Sequence, residues 1–277
     1  MTLKIDFNQS PRSSAQVFLV GAGPGDPGLI TVKGLTHLRE ADVVVYDRLV
    51  ARALLREARA DAELIDVGKN SGHHLVPQEE INALLIAKAR AGKRVVRLKG
   101  GDPFVLGRGG EEAEHLARAG IAFEVVPGVT SAIAVPAYAG IPVTQRGVAS
   151  SFMVVTGHRA RSTSPDPAHP TLVAERPETL IVLMAMENLS GVVADLLETT
   201  WSRETPAAVI AQGTTPQQRT VVGTLGDIAE KAQEVSPPAV LVVGEVVRLR
   251  ERLQWFENRA LQMGFVGSLA KVDLASD

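Results

Sequence analysis

Apolar runs rich in β-branched residues recur along the chain between stretches of helical periodicity, the alternation that marks an α/β protein. A first series predicts strands at Val17–Val20, Val43–Tyr46, Leu64–Val67, Arg94–Leu98 and Phe123–Val126. A second series predicts strands at Phe152–Thr156, Leu180–Met184, Ala208–Ala211, Thr220–Val222 and Val240–Val247. The clearest helix is Gln78–Ala91. Pro77 precedes the acidic Glu79 and Glu80 there, Ile81, Leu84 and Leu85 form an apolar stripe, and Gly92 supplies the stop. Gly109–Ala119 follows the same plan, with acids early, Leu116 and Ala117 inward and Gly120 just past the end.

The stretch Pro136–Ser151 mixes Pro, Gly and Ser and separates the two strand series, which places a domain boundary there. The expected organisation is a tail over residues 1–15, an N-terminal α/β domain over 16–143, a C-terminal α/β domain over 144–250 and a C-terminal helix and tail over 251–277. A polar stretch, Arg159–Pro170, reads as a surface loop, more readily an inert one than a lid.

Composition narrows the function classes. Of 277 residues 45% are hydrophobic and 22% charged, an ordinary globular balance. Lys plus Arg total 29 against 31 Asp plus Glu, so no overall field points to a nucleic acid or a membrane surface, and an anionic ligand must be held by local groups. Cysteine is absent, which removes disulfides, thiolate nucleophiles, iron–sulfur clusters and thiolate zinc sites, and fits a reducing cytoplasm. The first 15 residues lack an apolar signal core, and no stretch approaches the roughly 20 apolar residues of a membrane span. His73 and His74 are adjacent rather than one helical turn apart, so they read as a polar loop and not a helical zinc site; His158 and His169 read as structural or exposed.

Gly21, Gly23 and Gly25 follow the first strand in VFLVGAGPGDPG and invite comparison with the dinucleotide fingerprint. Asp26 stands where the third glycine belongs, and Pro24 removes a backbone N–H that would face a pyrophosphate. That disfavours a nucleotide-binding oxidoreductase, the competing reading from another enzyme class. A loop of this kind suits backbone approach to a ligand that is uncharged or cationic there, as a sulfonium is; a tight turn with no ligand is the plain alternative.

Further segments sharpen the reading: VVYDRLV at 44–50, RLKGGDPFVLGRGGEE at 97–112, VPGVTSAIAVPAYAGIPVT at 126–144, and the later LMAMENL and AQGTTPQQR. In this order they resemble the uroporphyrinogen-III C-methyltransferase branch of the tetrapyrrole methylases, over approximately Val17–Leu249. The resemblance implies a two-domain α/β tetrapyrrole methylase fold with the active cleft between domains, normally a homodimer. It implies that methyl groups pass from S-adenosyl-L-methionine to uroporphyrinogen III, giving precorrin-1 and then precorrin-2, with S-adenosyl-L-homocysteine as the other product and no metal. Nothing in the chain resembles the dehydrogenase and ferrochelatase module of fused sirohaem synthases, so precorrin-2 is the expected end point. A relative acting on a later corrin intermediate is the near alternative; retention of DRLV, GKNSGHH and GRGGEE favours uroporphyrinogen III.

The resemblance carries donor contacts onto Pro24, Gly100, Gly101, Asp102, Val105, Thr130, Ser131, Met184, Gly213 and Ala239. It carries substrate contacts onto Arg108, Glu111 and Arg146, Asp47 as proton acceptor and Lys69 as proton donor. The family commonly has alanine where Ser131 stands, glycine where Ala185 stands and histidine where Gln145 stands. Read from the residues alone, Asp102 serves either a ligand or a turn, with its two preceding glycines favouring the ligand. Thr130 and Ser131 equally open a helix, and Glu111 equally completes a helix N-terminus. Arginine's planar fork suits a carboxylate-rich acceptor. Asp47 equally caps a turn, and Lys69 equally binds a substrate carboxylate, since an unperturbed lysine with a pKa of about 10.4 is a reluctant acid near neutrality.

Overall fold

Val17, Phe18, Leu19 and Val20 are all fully buried, with no alternation between an inward and an outward face. A strand buried on both faces belongs in a parallel sheet covered by helices on each side. The computed structural model, which describes residues 16–68, 76–157 and 176–257, has that arrangement in its first half. Strands β1 (Val17–Gly21), β2 (Val43–Tyr46), β3 (Glu63–Asp66), β4 (Val95–Lys99) and β5 (Phe123–Val126) form a five-stranded sheet in the order β3-β2-β4-β1-β5. Every pairing in it is parallel.

Helices α1 (Val32–Glu40) and α2 (Arg52–Leu55) bury Leu38 and Leu54 against Phe18, Val20, Val44, Val96 and Leu98 on one face. Helices α3 (Gln78–Arg90) and α4 (Gly109–Arg118) bury Ile81, Leu85, Ala113 and Leu116 against Val17, Leu19, Val45 and Val95 on the other. The stop glycines behave as expected, Gly92 at φ 75 and Gly120 at φ 69.

The second unit holds α5 (Ser131–Tyr138), β6 (Phe152–Thr156), β7 (Thr179–Leu183), α6 (Leu189–Leu197), β8 (Pro206–Ala211), β9 (Arg219–Thr224), α7 (Ile228–Lys231), β10 (Ala239–Val243) and α8 (Arg250–Leu253). Its five-stranded sheet runs β6-β7-β10-β8-β9. Only β6 and β7 are parallel; β10 runs antiparallel to both β7 and β8, and β9 antiparallel to β8. One face packs on α5 through Ala132, Val135 and Ala139, the other on α6 and α7 through Val192, Leu196 and Ile228.

The observed division differs from the expected one. The chain separates at Val129/Thr130, and the anticipated boundary at residues 143–144 lies inside the second unit. Pro136, read as part of a linker, sits within α5. Small apolar residues explain the difference, because burying Ala132, Val135 and Ala139 on the second sheet outweighs the hydrogen bond a proline removes. The strand expected over Val240–Val247 ends at Val243, where Gly244 at φ 140 turns the chain into a 3-10 helix, Glu245–Leu249. Among the described residues no helix is long and apolar enough to cross a membrane. The Arg159–Pro170 stretch, both end tails, Lys69, His73, His74, His158 and His169 lie outside the described residues.

Candidate active site

The loops leaving the C-terminal ends of β1, β4 and β5 pack backbone against backbone, at the edge where parallel α/β sheets commonly place ligands. A Cβ on Gly21 would lie 2.5 Å from Gly128 Cα and 2.7 Å from the Gly101 carbonyl oxygen, and one on Gly128 would lie 2.3 Å from that same oxygen. Gly23 and Gly101 exchange both hydrogen bonds, Gly23 N–H donating to Gly101 O at 3.2 Å and Gly101 N–H to Gly23 O at 2.7 Å. Next to them Pro24 is half-buried. Asp26 accepts from Gly28 N–H at 2.8 Å and opens the short turn Pro27–Leu29, so the residue that breaks the dinucleotide fingerprint shapes the loop itself. Gly100 presses on Leu49, whose Cβ would be 2.9 Å from an added methyl, which ties in the loop carrying Asp47.

Asp102 shapes its own turn. Its Oδ1 accepts from Phe104 N–H at 2.8 Å and Val105 N–H at 3.1 Å, and its Oδ2 accepts from Gly128 N–H at 3.0 Å. One carboxylate thereby fixes the GGDPFVLG loop and anchors it to the loop after β5. The segment leaves Phe104, Val105 and Leu106 exposed at 56%, 37% and 45%, apolar side chains lying on the surface beside the glycine loops.

Arg108 and Glu111 form a bidentate pair, Nε to Oε1 at 2.8 Å and Nη2 to Oε2 at 2.7 Å, with both side chains more than half exposed. The pairing raises the Arg108 guanidinium and lowers the Glu111 carboxyl relative to their ordinary values, in each case chiefly through this hydrogen bond, so both stay charged.

In the second unit Thr130 caps α5 by accepting from Ala132 N–H at 3.3 Å, and Ser131 is the first helical residue. Met184, half-exposed just past β7, has φ 57. The buried Ala185 beside it lies so close to Gly157 that a Cβ there would be 2.7 Å from Ala185 Cα. Gly213 stands between two left-handed residues, and a Cβ on it would strike both Val135 methyl carbons at 2.5 Å. Ala239 opens β10 opposite Ala211. Arg146 is exposed in the turn closed by Gln145 N–H donating to Ala149 O at 2.9 Å.

Among the described residues the non-glycine positions with left-handed backbone are Leu106, Arg108, Met184, Gln212 and Thr214. Each costs about 1–3 kcal/mol in an ordinary setting, and such strain gathers at functional sites. All fall within GGDPFVLGRGGEE, LMAMENL or AQGTTPQQR, the segments that carry candidate ligand contacts.

One group of residues escaped the sequence reading. Arg97 and Lys99, both on β4, and Glu112 on α4 are buried charges, and Arg97 reaches Asp47 with Nη2 2.5 Å from Oδ1. Two charges at i and i+2 inside the apolar run VVRLK were the signal, since a buried charge demands a partner on the same face. Burial, and then the neighbouring Arg97, push the Lys99 amine below its ordinary value, with Glu112 opposing them.

A fully parallel α/β unit with interlocked glycine loops, followed by a mixed-sheet unit whose loops hold strained backbone, defines a two-unit α/β protein. The chain belongs to the tetrapyrrole (corrin/porphyrin) methylases, whose family model matches residues 16–229. It is 56% identical over 239 residues to a uroporphyrinogen-III C-methyltransferase of Methanocaldococcus jannaschii, covering 85% of this chain and 98% of that protein. A sirohaem synthase of Azotobacter vinelandii is 52% identical over 252 residues, 90% of this chain but 54% of that longer protein. Among solved structures, uroporphyrin-III C-methyl transferase from Thermus thermophilus complexed with S-adenyl homocysteine is similar with a TM-score of 0.72 at 43% identity, covering 85% of this chain and 100% of that one.

Proposed function

We propose that the chain is an S-adenosylmethionine-dependent C-methyltransferase that converts uroporphyrinogen III through precorrin-1 to precorrin-2, acting as a cytoplasmic homodimer. The observation that carries the reading is the close backbone packing of Gly21, Gly101 and Gly128 at the sheet's C-terminal edge, with the exposed apolar Phe104, Val105 and Leu106 on the loop that follows Gly101. The likeness to a relative crystallised with S-adenyl homocysteine supports it.

These residues fit an adenosyl sulfonium. Asp26 and Asp102 put negative charge on the glycine loops, which disfavours a pyrophosphate and suits a cation. Pro24, Gly100, Gly101, Asp102 and Val105 would hold the donor from the first unit, and Thr130, Ser131, Met184, Gly213 and Ala239 are the contacts proposed on the second. When bound, the donor supplies an electrophilic methyl group to an electron-rich pyrrole carbon and departs as the thioether.

What the chain supplies is placement and proton handling. Alignment of reacting atoms contributes roughly 7 to 11 kcal/mol in favourable cases. Arg108 and Arg146 would take acceptor carboxylates, with Glu111 holding the Arg108 fork in orientation. Asp47 would accept the proton that leaves as the macrocycle's π system rearranges, and Lys69 would return one or bind a carboxylate.

Purified protein incubated anaerobically with uroporphyrinogen III and S-adenosylmethionine tests the proposal. The expected result is a tetrapyrrole heavier by two CH2 units, each methyl gained being matched by one proton lost, with two S-adenosylhomocysteine molecules released per product. No methylated tetrapyrrole, with the substrate kept reduced, would overturn it.

A further inference from the structure

Position 97 in the middle of β4 has Leu19 and Val45 as its register partners on the flanking strands, a place where an aliphatic side chain would pack well. The chain puts an arginine there instead, 2% exposed, and surrounds it with hydrogen bonds. Its Nε donates to Glu112 Oε1 at 3.0 Å, its Nη1 lies 3.4 Å from the Val45 and Leu98 carbonyl oxygens, and its Nη2 donates to Asp47 Oδ1 at 2.5 Å. Glu112 is fully buried and is gripped in turn: Lys99 Nζ lies 3.1 Å from both of its oxygens, and Gln78 Nε2 donates to Oε1 at 3.2 Å.

Buried ion pairs are weak evidence of stabilisation, because desolvation offsets their attraction and apolar replacements of similar volume are often no worse. Their better-attested use is to specify one geometry. Here the network has a direction. Arg97, Lys99 and Glu112 have side chains no more than 3% exposed, whereas the Asp47 carboxylate at the far end is 31% exposed, at the C-terminal edge where β2 ends. The buried charges come from β4 and α4; among the charged members the half-open one is the group assigned to proton acceptance.

We propose that Arg97 is a positioning residue for the methyl transfer, fixing the Asp47 carboxylate at the edge of the sheet, with Glu112 as the anchor that fixes Arg97. The proposal rests on the reading of Asp47 as proton acceptor. A guanidinium bound on Nε by one carboxylate and on Nη2 by another has its plane set at both ends, so the Asp47 oxygen it holds has one location. Lys99 completes the charge balance around Glu112 and leaves the Arg97 fork facing Asp47.

A double-mutant cycle on kcat tests this, with S-adenosylmethionine affinity and unfolding midpoint measured on each variant. Asp47→Ala is expected to lower kcat by about 10²- to 10⁴-fold, the range for loss of a proton-transfer group. Arg97→Lys, which keeps the charge and loses the fork, is expected to lower kcat by about 10- to 100-fold, as supporting residues around reactive groups commonly do, with donor affinity unchanged. In the Asp47→Ala background Arg97→Lys is expected to lower kcat no further, a non-additivity that a merely structural role would not produce.

Effects that multiply instead would overturn the positioning role while leaving Asp47 as acceptor. Unchanged kcat in Asp47→Ala alone would overturn the acceptor reading, and the positioning role with it. Where Arg97→Lys fails to fold, Glu112→Gln substitutes for it in the same cycle: its smaller loss of kcat must likewise vanish in the Asp47→Ala background, and persistence there overturns the proposal.

Discussion

Arg108 and Glu111 hold each other in a two-point ion pair across the first turn of α4, while the Arg108 backbone sits in the left-handed region at φ 58. The pair is exposed and so is worth about 0–1 kcal/mol to the fold. The backbone conformation costs a side-chain-bearing residue about 1–2 kcal/mol. Stability alone therefore does not favour arginine there.

Arg108→Ala removes the fork and keeps the backbone strain, whereas Arg108→Gly removes both. The glycine variant is expected to be more stable than the alanine variant by about 1 kcal/mol in urea unfolding. Both are expected to lose tetrapyrrole turnover far more than donor affinity, measured by calorimetry. Full turnover in both variants would take Arg108 out of the site.

Gly109 and Gly110, adjacent in the same turn, should respond in opposite senses to alanine. A Cβ on Gly109 would sit 2.3 Å from the Pro103 carbonyl oxygen and 2.9 Å from its carbon, whereas a Cβ on Gly110 meets nothing within 4 Å. Gly110→Ala is expected to be neutral or to stabilise by up to about 1 kcal/mol through helix propensity. Gly109→Ala must push the Pro103–Leu106 loop away and is expected to cost about 1–3 kcal/mol, with weaker donor binding because that loop carries Val105. Equal unfolding midpoints for the two variants would show that the loop yields freely.

Strands such as β1 and β7 were legible because apolar runs buried on both faces leave little else for those residues to do, and Gly92 and Gly120 marked helix ends through conformations that glycine favours. The division of the chain was not legible. Proline and glycine in Pro136–Ser151 signal a linker locally, while what decides the outcome is the burial of Ala132, Val135 and Ala139 on strands far along the chain. The same distinction runs through the site. Gly100, Gly101 and Asp102 announce themselves by type, whereas Leu106, Met184 and Thr214 carry left-handed backbone that residue type argues against. Arg97 finds its partners 15 and 50 residues away, at Glu112 and Asp47, so only long-range pairing assigns it a role.

His37 gives the fold a dependence on pH that can be isolated. Its ring stacks on Phe18 with centroids 4.2 Å apart, and Arg94 Nη2 lies 2.7 Å from its Nδ1. Arginine only donates, so Nδ1 accepts and the neutral ring carries its proton on Nε2, which lies 3.6 Å from Glu124. Burial, the largest influence, holds the imidazole below its ordinary value of 6.5, with Glu124 opposing and Arg94 and Lys33 reinforcing the shift. The folded chain therefore binds fewer protons at His37 than the unfolded chain in the interval below 6.5. The stability associated with the neutral ring is complete above that value and is lost progressively as pH falls toward the lowered folded value. Unfolding free energy is thus expected to drop as pH falls below the ordinary imidazole value of 6.5. His37→Gln, which keeps an acceptor for Arg94 without titrating, should show a smaller drop, and an identical drop in both proteins would assign the dependence to other groups.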